Sequence, residues 1–151
     1  MIQKIMPNVV EALKDIGDGS TILISGFGGA GLPIFLLDAL LEQGAKNLTL
    51  VSNNAGNQGV GIAKLVAGGR VKKMICSFPR QPESGAFDEL YRQGKIELEL
   101  VPQGNLAERI RAAGAGVGVA TGAGAGVCAM AVPAANTVEI RARAILFMVW
   151  L

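Results

Sequence analysis

Short apolar runs recur along the chain between residues 7 and 113, and stretches with a helical pattern separate them. Runs at 21–25, 48–52 and 71–77 have the length and β-type composition of buried strands. A fourth run, 96–101, alternates apolar residues with Glu97 and Glu99, as strands with one wet face do. We favour the interpretation that these two carboxylates lie on a solvent-exposed strand face. The alternative is that they form a paired-carboxylate active site.

Five stretches flank and separate these strands, and their apolar spacing predicts helices. They cover residues 7–16, 33–43, 60–67, 84–93 and 106–113. Pro33 suits a first helical turn, Gly44 suits a helix end, and Asn105 can cap the last helix. The resulting order α-β-α-β-α-β-α-β-α predicts an α/β fold, an open and mostly parallel sheet with flanking helices.

Ligands of such sheets bind beyond the carboxyl ends of the strands. The loops that follow the predicted strands are 26–31, 53–59, 78–83 and 102–105. After residue 113 the alternation is lost, because Gly, Ala and Val mix without a register from 114 to 126. We therefore expect an α/β domain over residues 1–118 and an atypical, irregular or incomplete tail over 119–151.

The first of these loops carries a G-x-G-x-x-G spacing between a strand and a helix, the pattern of a dinucleotide site. Glycines let a backbone approach a phosphate, and a helix N-terminus favours negative charge. A nicotinamide site also needs an acidic residue at the end of the second strand, where this chain has Asn53 and Asn54. A dinucleotide site, a purely structural turn and an approach to a phosphate-bearing or thioester ligand remain open, and the last is favoured.

Composition excludes several classes of function. The net charge is only +2, so the chain lacks the strongly basic surface that binds nucleic acid. With one Trp and one Tyr, it also lacks the aromatic side chains on which bases stack. The chain has no His, which excludes a His general base, and its two cysteines cannot form a typical zinc site. We therefore expect no metal site and no nucleic-acid partner.

The cysteine content and the hydropathy pattern bear on location. Two cysteines give no disulfide framework, so a cytoplasmic protein is expected. Charged residues and Pro7 interrupt any apolar core of a signal peptide near the N-terminus. The uncharged segment 112–138 is dominated by Gly and Ala, which gain little from lipid, so no membrane partner is expected.

The stretch from Asp18 to Pro33 resembles a signature of the family I CoA-transferases. It contains an Asp-Gly turn, an apolar strand, a glycine loop with Phe27, and Gly-x-Pro entering a helix. Ser25 stands where that family usually has a glycine. Three later stretches, 48–56, 70–77 and 102–112, are similar to the family in the same order. The resemblance covers most of residues 7–118, and is greatest to the A-type chain of enzymes that move CoA between succinyl-CoA and a 3-oxoacid.

This resemblance implies a reaction and a partner. A glutamate attacks the acyl-CoA and becomes a glutamyl-CoA thioester, which is nucleophilic catalysis in two steps. That glutamate belongs to the B-type chain of the enzyme, and its Ser-Glu-Asn-Gly-like motif is absent here. The chain is therefore expected to act only in a hetero-oligomer with a B-type CoA-transferase chain, on an acyl-CoA and a 3-oxoacid. CoA is expected as substrate and product, with no tightly bound cofactor.

The resemblance also assigns site residues. The loop that approaches CoA corresponds to Ser25, Gly26, Phe27, Gly28, Gly29, Ala30 and Gly31. Gln103 corresponds to a glutamine that holds the oxyanion, a suitable task for a neutral amide donor; its alternative is a turn residue that bonds its own backbone. Asn53 and Asn54 are weaker candidates for the CoA site, and their alternative is to shape the turn.

The resemblance stops near residue 118. The family continues with an aromatic-Thr-Pro-Thr-Gly turn, where this chain has Val119, Ala120, Thr121 and Gly122. The abrupt change favours a truncated or frameshifted tail over a divergent short paralogue. Two other functions remain open at this point, a non-catalytic CoA- or nucleotide-binding module and a non-functional remnant.

Overall fold

The computed structural model describes residues 5–57, 59–80 and 84–114. Within these ranges the chain forms five helices and four strands, in the predicted order. They are α1 Val9–Leu13, β1 Thr21–Leu23, α2 Ile34–Gln43, β2 Leu48–Asn54, α3 Ile62–Ala67, β3 Val71–Phe78, α4 Gly85–Arg92, β4 Glu97–Leu100 and α5 Gln103–Gly114. The predicted α/β class is confirmed, whereas the predicted tail over 119–151 lies outside the described residues.

The four strands form one parallel sheet whose spatial order follows the chain, β1-β2-β3-β4. Across the sheet, Leu23 pairs with Val51, Val51 with Ile75, and Ile75 with Glu99. Crossovers between adjacent parallel strands are right-handed. A sheet whose order never reverses therefore places α2, α3 and α4 on the same face.

That face, here called the helix-covered face, carries Ile22, Leu50, Met74 and Leu98. Leu50 and Met74 are 0% exposed. The helices contribute apolar side chains to the same cluster, which are Leu13 of α1, Leu37 and Leu40 of α2, Ile62 and Leu65 of α3, and Phe87 of α4. Burial of these side chains provides the main hydrophobic stabilisation of the described part of the chain.

The opposite face, here called the α5 face, carries Leu23, Val51, Ile75 and Glu99. Val51 and Ile75 form a small second cluster with Val101 and with Leu106 and Ile110 of α5. Toward the amino ends of the strands this face turns polar at Thr49 and Lys73, which are partly exposed. Among the described elements, α5 is the helix that packs here.

Two strand ends and one helix start differ from the sequence prediction. β2 continues to Asn54 and β3 to Phe78, because the two strands keep pairing to that point. The last helix starts at Gln103, three residues earlier than predicted. Pro102 precedes it, and its carbonyl accepts the first helical bond from the Leu106 N–H at 2.9 Å. Gln103 therefore lies in the first turn of α5 rather than in a preceding loop.

Other boundaries are shorter than predicted. β1 ends at Leu23, and α1 spans Val9–Leu13 after Asn8, whose side chain accepts a bond from the Glu11 N–H at 2.8 Å. That bond satisfies one of the free donors at the start of α1. Over residues 5–57, 59–80 and 84–114, no helix has both the length and the apolarity needed to cross a bilayer.

Candidate functional site

Adjacent strands β3 and β4 send their helices to opposite faces of the sheet. α4 packs on the helix-covered face through Phe87, and α5 packs on the α5 face through Leu106. The loops that leave the two strands therefore diverge. Ligands of open α/β sheets bind in the crevice that such divergence creates beyond the carboxyl ends. Ser77, at the end of β3, and Gln103, at the start of α5, contact each other at this point.

The glycine loop after β1 is a closed turn. The Phe27 N–H donates to the Ala30 carbonyl at 3.0 Å, and the Ala30 N–H donates to the Phe27 carbonyl at 3.1 Å. Gly28 adopts φ +62°, the left-handed conformation that a turn tip needs. Two N–H groups of the loop are therefore bonded within the turn, which weakens the dinucleotide interpretation because a phosphate cradle uses free N–H groups.

The base of this loop is closed by Ser25, whose hydroxyl donates to the Gly31 carbonyl at 3.0 Å. The Ser25 side chain thus closes the loop with a hydrogen bond that a glycine at this position could not make. Gly26 has φ +120°, and a Cβ there would lie 3.0 Å from the Leu32 side chain, so a glycine is required. Phe27 projects from the turn with 78% of its surface exposed.

Asn54 joins the glycine loop to the end of β2. It is 0% exposed, and its Oδ1 accepts a bond from the Gly56 N–H at 2.8 Å. Its Nδ2 donates to the Gly28 carbonyl at 3.3 Å. An asparagine that bonds the backbone two residues later shapes a turn. Asn54 bonds backbone groups in this structure, so its effect on a ligand is indirect. It holds the glycine loop in place.

Asn53, Ser77 and Gln103 form a polar cluster, here called the amide cluster. Ser52 pairs with Cys76 and Asn54 with Phe78, so Asn53 and Ser77 are level on the α5 face. The Asn53 Nδ2 lies 3.1 Å from both the Ser77 Oγ and the Gln103 Oε1, and the Ser77 Oγ lies 2.5 Å from the Gln103 Oε1. The cluster thus brings together two predicted site residues, Asn53 and Gln103.

Ser77 is the member of the cluster that the sequence interpretation missed. The sequence did indicate that Ser77 stands at the carboxyl end of the third strand, where ligands of such sheets bind. Since side chains alternate along a strand, Ser77 lies level with Asn53 on the same face only if the two strands pair in one particular register.

The ion pairs that the structure describes on the α5 face involve Glu99. Glu99 pairs with Lys73 and with Arg109, each at 2.7 Å, and the bond from Lys73, followed by that from Arg109, lowers the pKa of Glu99. Glu99 therefore acts in a surface ion-pair network, which favours the wet strand face over a paired-carboxylate site. Burial raises the pKa of the Cys76 thiol to about 11, so this thiol is protonated at neutral pH.

The chemistry that the amide cluster offers is neutral hydrogen bonding. Asn53, Ser77 and Gln103 supply amide and hydroxyl groups, which do not titrate near neutral pH. Such groups stabilise a developing negative charge without exchanging a proton. In the described ranges no group of three or more His, Cys, Asp or Glu side chains is arranged to hold a metal ion.

The sequence matches the family model described as Coenzyme A transferase over residues 6–146, past the boundary predicted near 118. It is 66% identical over 114 residues to the A-type chain of 3-oxoadipate CoA-transferase of Acinetobacter baylyi, covering 76% of this chain and 50% of that protein. The A-type chain of a probable succinyl-CoA:3-ketoacid coenzyme A transferase of Bacillus subtilis is 45% identical over 74% of this chain and 46% of that protein. The chain spans about half the length of the curated relatives it matches.

The fold is also similar to that of a solved family member. An acyl-CoA transferase from E. coli, in a thioester complex with CoA, superposes with a TM-score of 0.58 at 29% identity, covering 71% of this chain and 22% of that chain. The family match extends over most of the sequence, and the structural likeness agrees with it. The chain therefore belongs to the coenzyme A transferase family.

Proposed function

We propose that this chain is the A-type component of a transferase that moves CoA between an acyl-CoA, such as succinyl-CoA, and a 3-oxoacid, such as 3-oxoadipate. Membership of the family and the names of its relatives support the reaction class. The observation that carries the proposal is the amide cluster, a set of neutral donors beyond the carboxyl ends of adjacent strands.

The nucleophile comes from a second protein chain in this proposal, here called the B-type chain. The amide cluster contains no carboxylate, and Glu99, on the same face of the sheet, forms ion pairs with Lys73 and Arg109. Relatives named as one component of a two-component enzyme support a hetero-oligomer. The division of labour also agrees with the absent Ser-Glu-Asn-Gly-like motif. Because two cysteines provide no disulfide framework, the cytoplasm is the location we propose.

Gln103 acts on the charge that forms during acyl transfer. A carboxylate oxygen of the B-type chain attacks the thioester carbon, and the carbonyl electron pair moves onto oxygen. Collapse of this intermediate expels the CoA thiolate and leaves a mixed anhydride. The thiolate then attacks the carboxyl carbon of the B-type chain, which releases the first acid and forms the enzyme thioester. Donation from the Gln103 Nε2 to the transient oxyanion lowers the barrier.

The glycine loop forms the approach for CoA. Gly28 and Gly29 at the tip of the turn carry no side chains, so a thioester arm can come close to the backbone. Phe27 adds an exposed apolar surface beside that tip. Ser25, Gly26, Ala30 and Gly31 hold the shape of the loop, and Asn54 ties it to β2. CoA is thus a substrate and product in this site, not a resident cofactor.

The test is steady-state transfer by this chain assembled with a cognate B-type chain. Gln103→Ala is expected to lower kcat by ~10²–10³-fold, the effect of removing one oxyanion donor. Gln93→Ala, an exposed glutamine just after α4, is the matched control and is expected to retain the parent rate. The melting temperature is measured on the same preparations.

A normal rate for Gln103→Ala would remove Gln103 from the reaction. Turnover by this chain without a B-type chain would overturn the division of labour. Isothermal titration with CoA and with NAD separates the proposal from a dehydrogenase, because tight NAD binding without a CoA response would contradict a CoA site.

A further inference from the structure

We propose that Ser77 is a positioning residue that, together with Asn53, holds the Gln103 side-chain amide by its Oε1, so that its Nε2 hydrogens face the reaction and its Oε1 faces the protein. The catalytic consequence rests on the proposed function of Gln103. The orientation itself follows from the hydrogen bonds around Asn54, Asn53 and Ser77. An amide reversed by 180° would present an acceptor where an oxyanion needs a donor.

The orientation is anchored at Asn54 by two backbone groups that cannot exchange their roles. Its Oδ1 accepts from the Gly56 N–H at 2.8 Å, and its Nδ2 donates to the Gly28 carbonyl at 3.3 Å. A reversed Asn54 would place nitrogen against an N–H and oxygen against a carbonyl. The surrounding hydrogen bonds thus define one amide orientation.

Asn53 takes its orientation from this anchor. The Asn54 Nδ2 also donates to the Asn53 Oδ1 at 3.4 Å, which turns the Asn53 Nδ2 the other way. The two hydrogens on that nitrogen are directed at the Ser77 Oγ and the Gln103 Oε1, each at 3.1 Å. The side chain of Asn53 therefore presents only donors to Ser77 and Gln103.

Ser77 completes the arrangement because its hydroxyl has one hydrogen and accepts from Asn53. Two acceptors compete for that hydrogen, the Gln103 Oε1 at 2.5 Å and the Asn53 carbonyl at 3.1 Å. The shorter contact assigns the hydrogen to Gln103. Two donors then converge on the Gln103 Oε1.

A reversed Gln103 amide would bring its Nε2 against the Asn53 Nδ2 donor, and Ser77 could accept from that Nε2 only by turning its own hydrogen to the Asn53 carbonyl at 3.1 Å. The observed orientation therefore keeps two donors on the Gln103 Oε1 and leaves the Nε2 of this exposed residue outside the hydrogen bonds of the cluster. Removal of the Ser77 hydroxyl leaves Asn53 as the one donor to Oε1 within the cluster. The Gln103 amide is then held by one hydrogen bond instead of two, and its mobility rises.

The experiment compares Ser77→Ala with Ser77→Thr, which keeps a hydroxyl. Ser52→Ala is the matched control, because Ser52 lies on the neighbouring strand, is buried, and its hydroxyl has no partner among the described residues. The first measurement is ¹⁵N relaxation of the Gln103 side-chain NH₂ in the full 151-residue chain. We expect Ser77→Ala to lower its order parameter, Ser77→Thr to restore most of it, and Ser52→Ala to leave it at the parent value.

The second measurement is acyl transfer after assembly with the B-type chain. Ser77→Ala is expected to lower kcat by ~10-fold, the lower end of the range for a residue that orients a functional group, with KM for the acyl-CoA within about twofold. Ser77→Thr is expected to recover most of kcat. Ser77→Cys, which keeps the side-chain shape with a weaker donor, repeats the test should Ser77→Ala fail to fold.

An unchanged Gln103 order parameter in Ser77→Ala, with a chain that folds, overturns the proposal whatever the activity. Loss of order with an unchanged kcat supports the positioning by Ser77 and instead overturns the oxyanion role of Gln103. A fall in melting temperature with equal loss of kcat in Ser52→Ala and Ser77→Ala would show a general effect of strand packing and would also overturn the proposal.

Discussion

The two faces of the sheet share the same strands but differ in what they bury and in what they leave accessible. The helix-covered face is apolar from Ile22 to Leu98 and closed by four helices. The α5 face holds a smaller cluster and ends in the polar side chains of Asn53 and Ser77. Consecutive residues therefore have different tasks. Asn54 is a buried connection between loops, whereas Asn53, one residue earlier, reaches the amide cluster.

The largest difference in stability between the faces should appear in a matched pair of leucine truncations. Leu50→Ala, on the helix-covered face, is expected to lower the free energy of unfolding by about 2–5 kcal/mol. Leu23→Ala, on the α5 face of an edge strand and only partly buried, is expected to lower it by about 1–2 kcal/mol. Urea denaturation measures both. Equal losses would show that the α5 face is as tightly packed as the other.

The helix-covered side should also be intolerant of a single added methyl group at Gly56. A Cβ there would lie 2.4 Å from the Ala63 nitrogen, and the backbone has φ +94°. Gly56→Ala is expected to lower the free energy of unfolding by about 2–4 kcal/mol. Gly59→Ala is the control, because its φ is +64° with nothing within 4 Å, and about 1 kcal/mol is expected. Similar midpoints in urea for both variants would contradict the close approach.

The adjacent asparagines separate stability from catalysis. Asn54→Ala leaves the buried Gly56 N–H without its acceptor and is expected to lower the free energy of unfolding by about 1–3 kcal/mol. Asn53→Ala is expected to have a smaller thermal effect, below about 1 kcal/mol, but a larger loss of kcat per folded enzyme. Thermal unfolding and single-turnover acyl transfer on the same samples measure both. The reverse ranking in both assays would show that the two side chains had been assigned to the wrong faces.

The smallest effect concerns the ion-pair network on the α5 face. Lys73 and Arg109 hold the pKa of Glu99 below its usual value in the folded state. The stabilisation is therefore present above the ordinary glutamate pKa and is lost as the pH falls through the lowered one. Because about a third of the Glu99 side chain is exposed, solvent screening limits the loss in Glu99→Gln to below about 1 kcal/mol at pH 7.

Chemical denaturation as a function of pH tests this expectation. The difference between Glu99→Gln and the parent chain should shrink as the pH falls below about 4, and should also shrink in high salt. Glu97→Gln, on the same strand, is the control. A difference that grew on acidification would reverse the sign assigned to Glu99.

Local physical chemistry made much of the fold predictable. Apolar runs of strand length, and glycine and proline at the ends of helices, act within a few residues, so the order of elements was predicted from the chain alone. Gly44 shows the local nature of this information, since its left-handed conformation closes α2 as expected for a glycine at a helix end. The motif around residues 18–33 similarly indicated the family.

The ends of the elements depended on pairing between strands. β2 reaches Asn54 because β3 lies beside it, and polar residues such as Asn53 and Asn54 give no local sign of strand structure. The start of α5 at Gln103 was missed because Gly104 and Asn105 favour a break. The Pro102 carbonyl instead accepts the first helical hydrogen bond, from the Leu106 N–H, and Leu106 packs against Val101.

The sequence by itself determined which residue types stand at the carboxyl ends of the strands. Only the tertiary structure decided which of them meet, because a slip of one residue between β2 and β3 would turn Ser77 to the opposite face from Asn53. The contact between Asn53 and Gln103 spans 50 residues of chain, and no local preference encodes it. It exists because parallel pairing aligns the strand ends and because the apolar side of α5 packs on Val51 and Ile75.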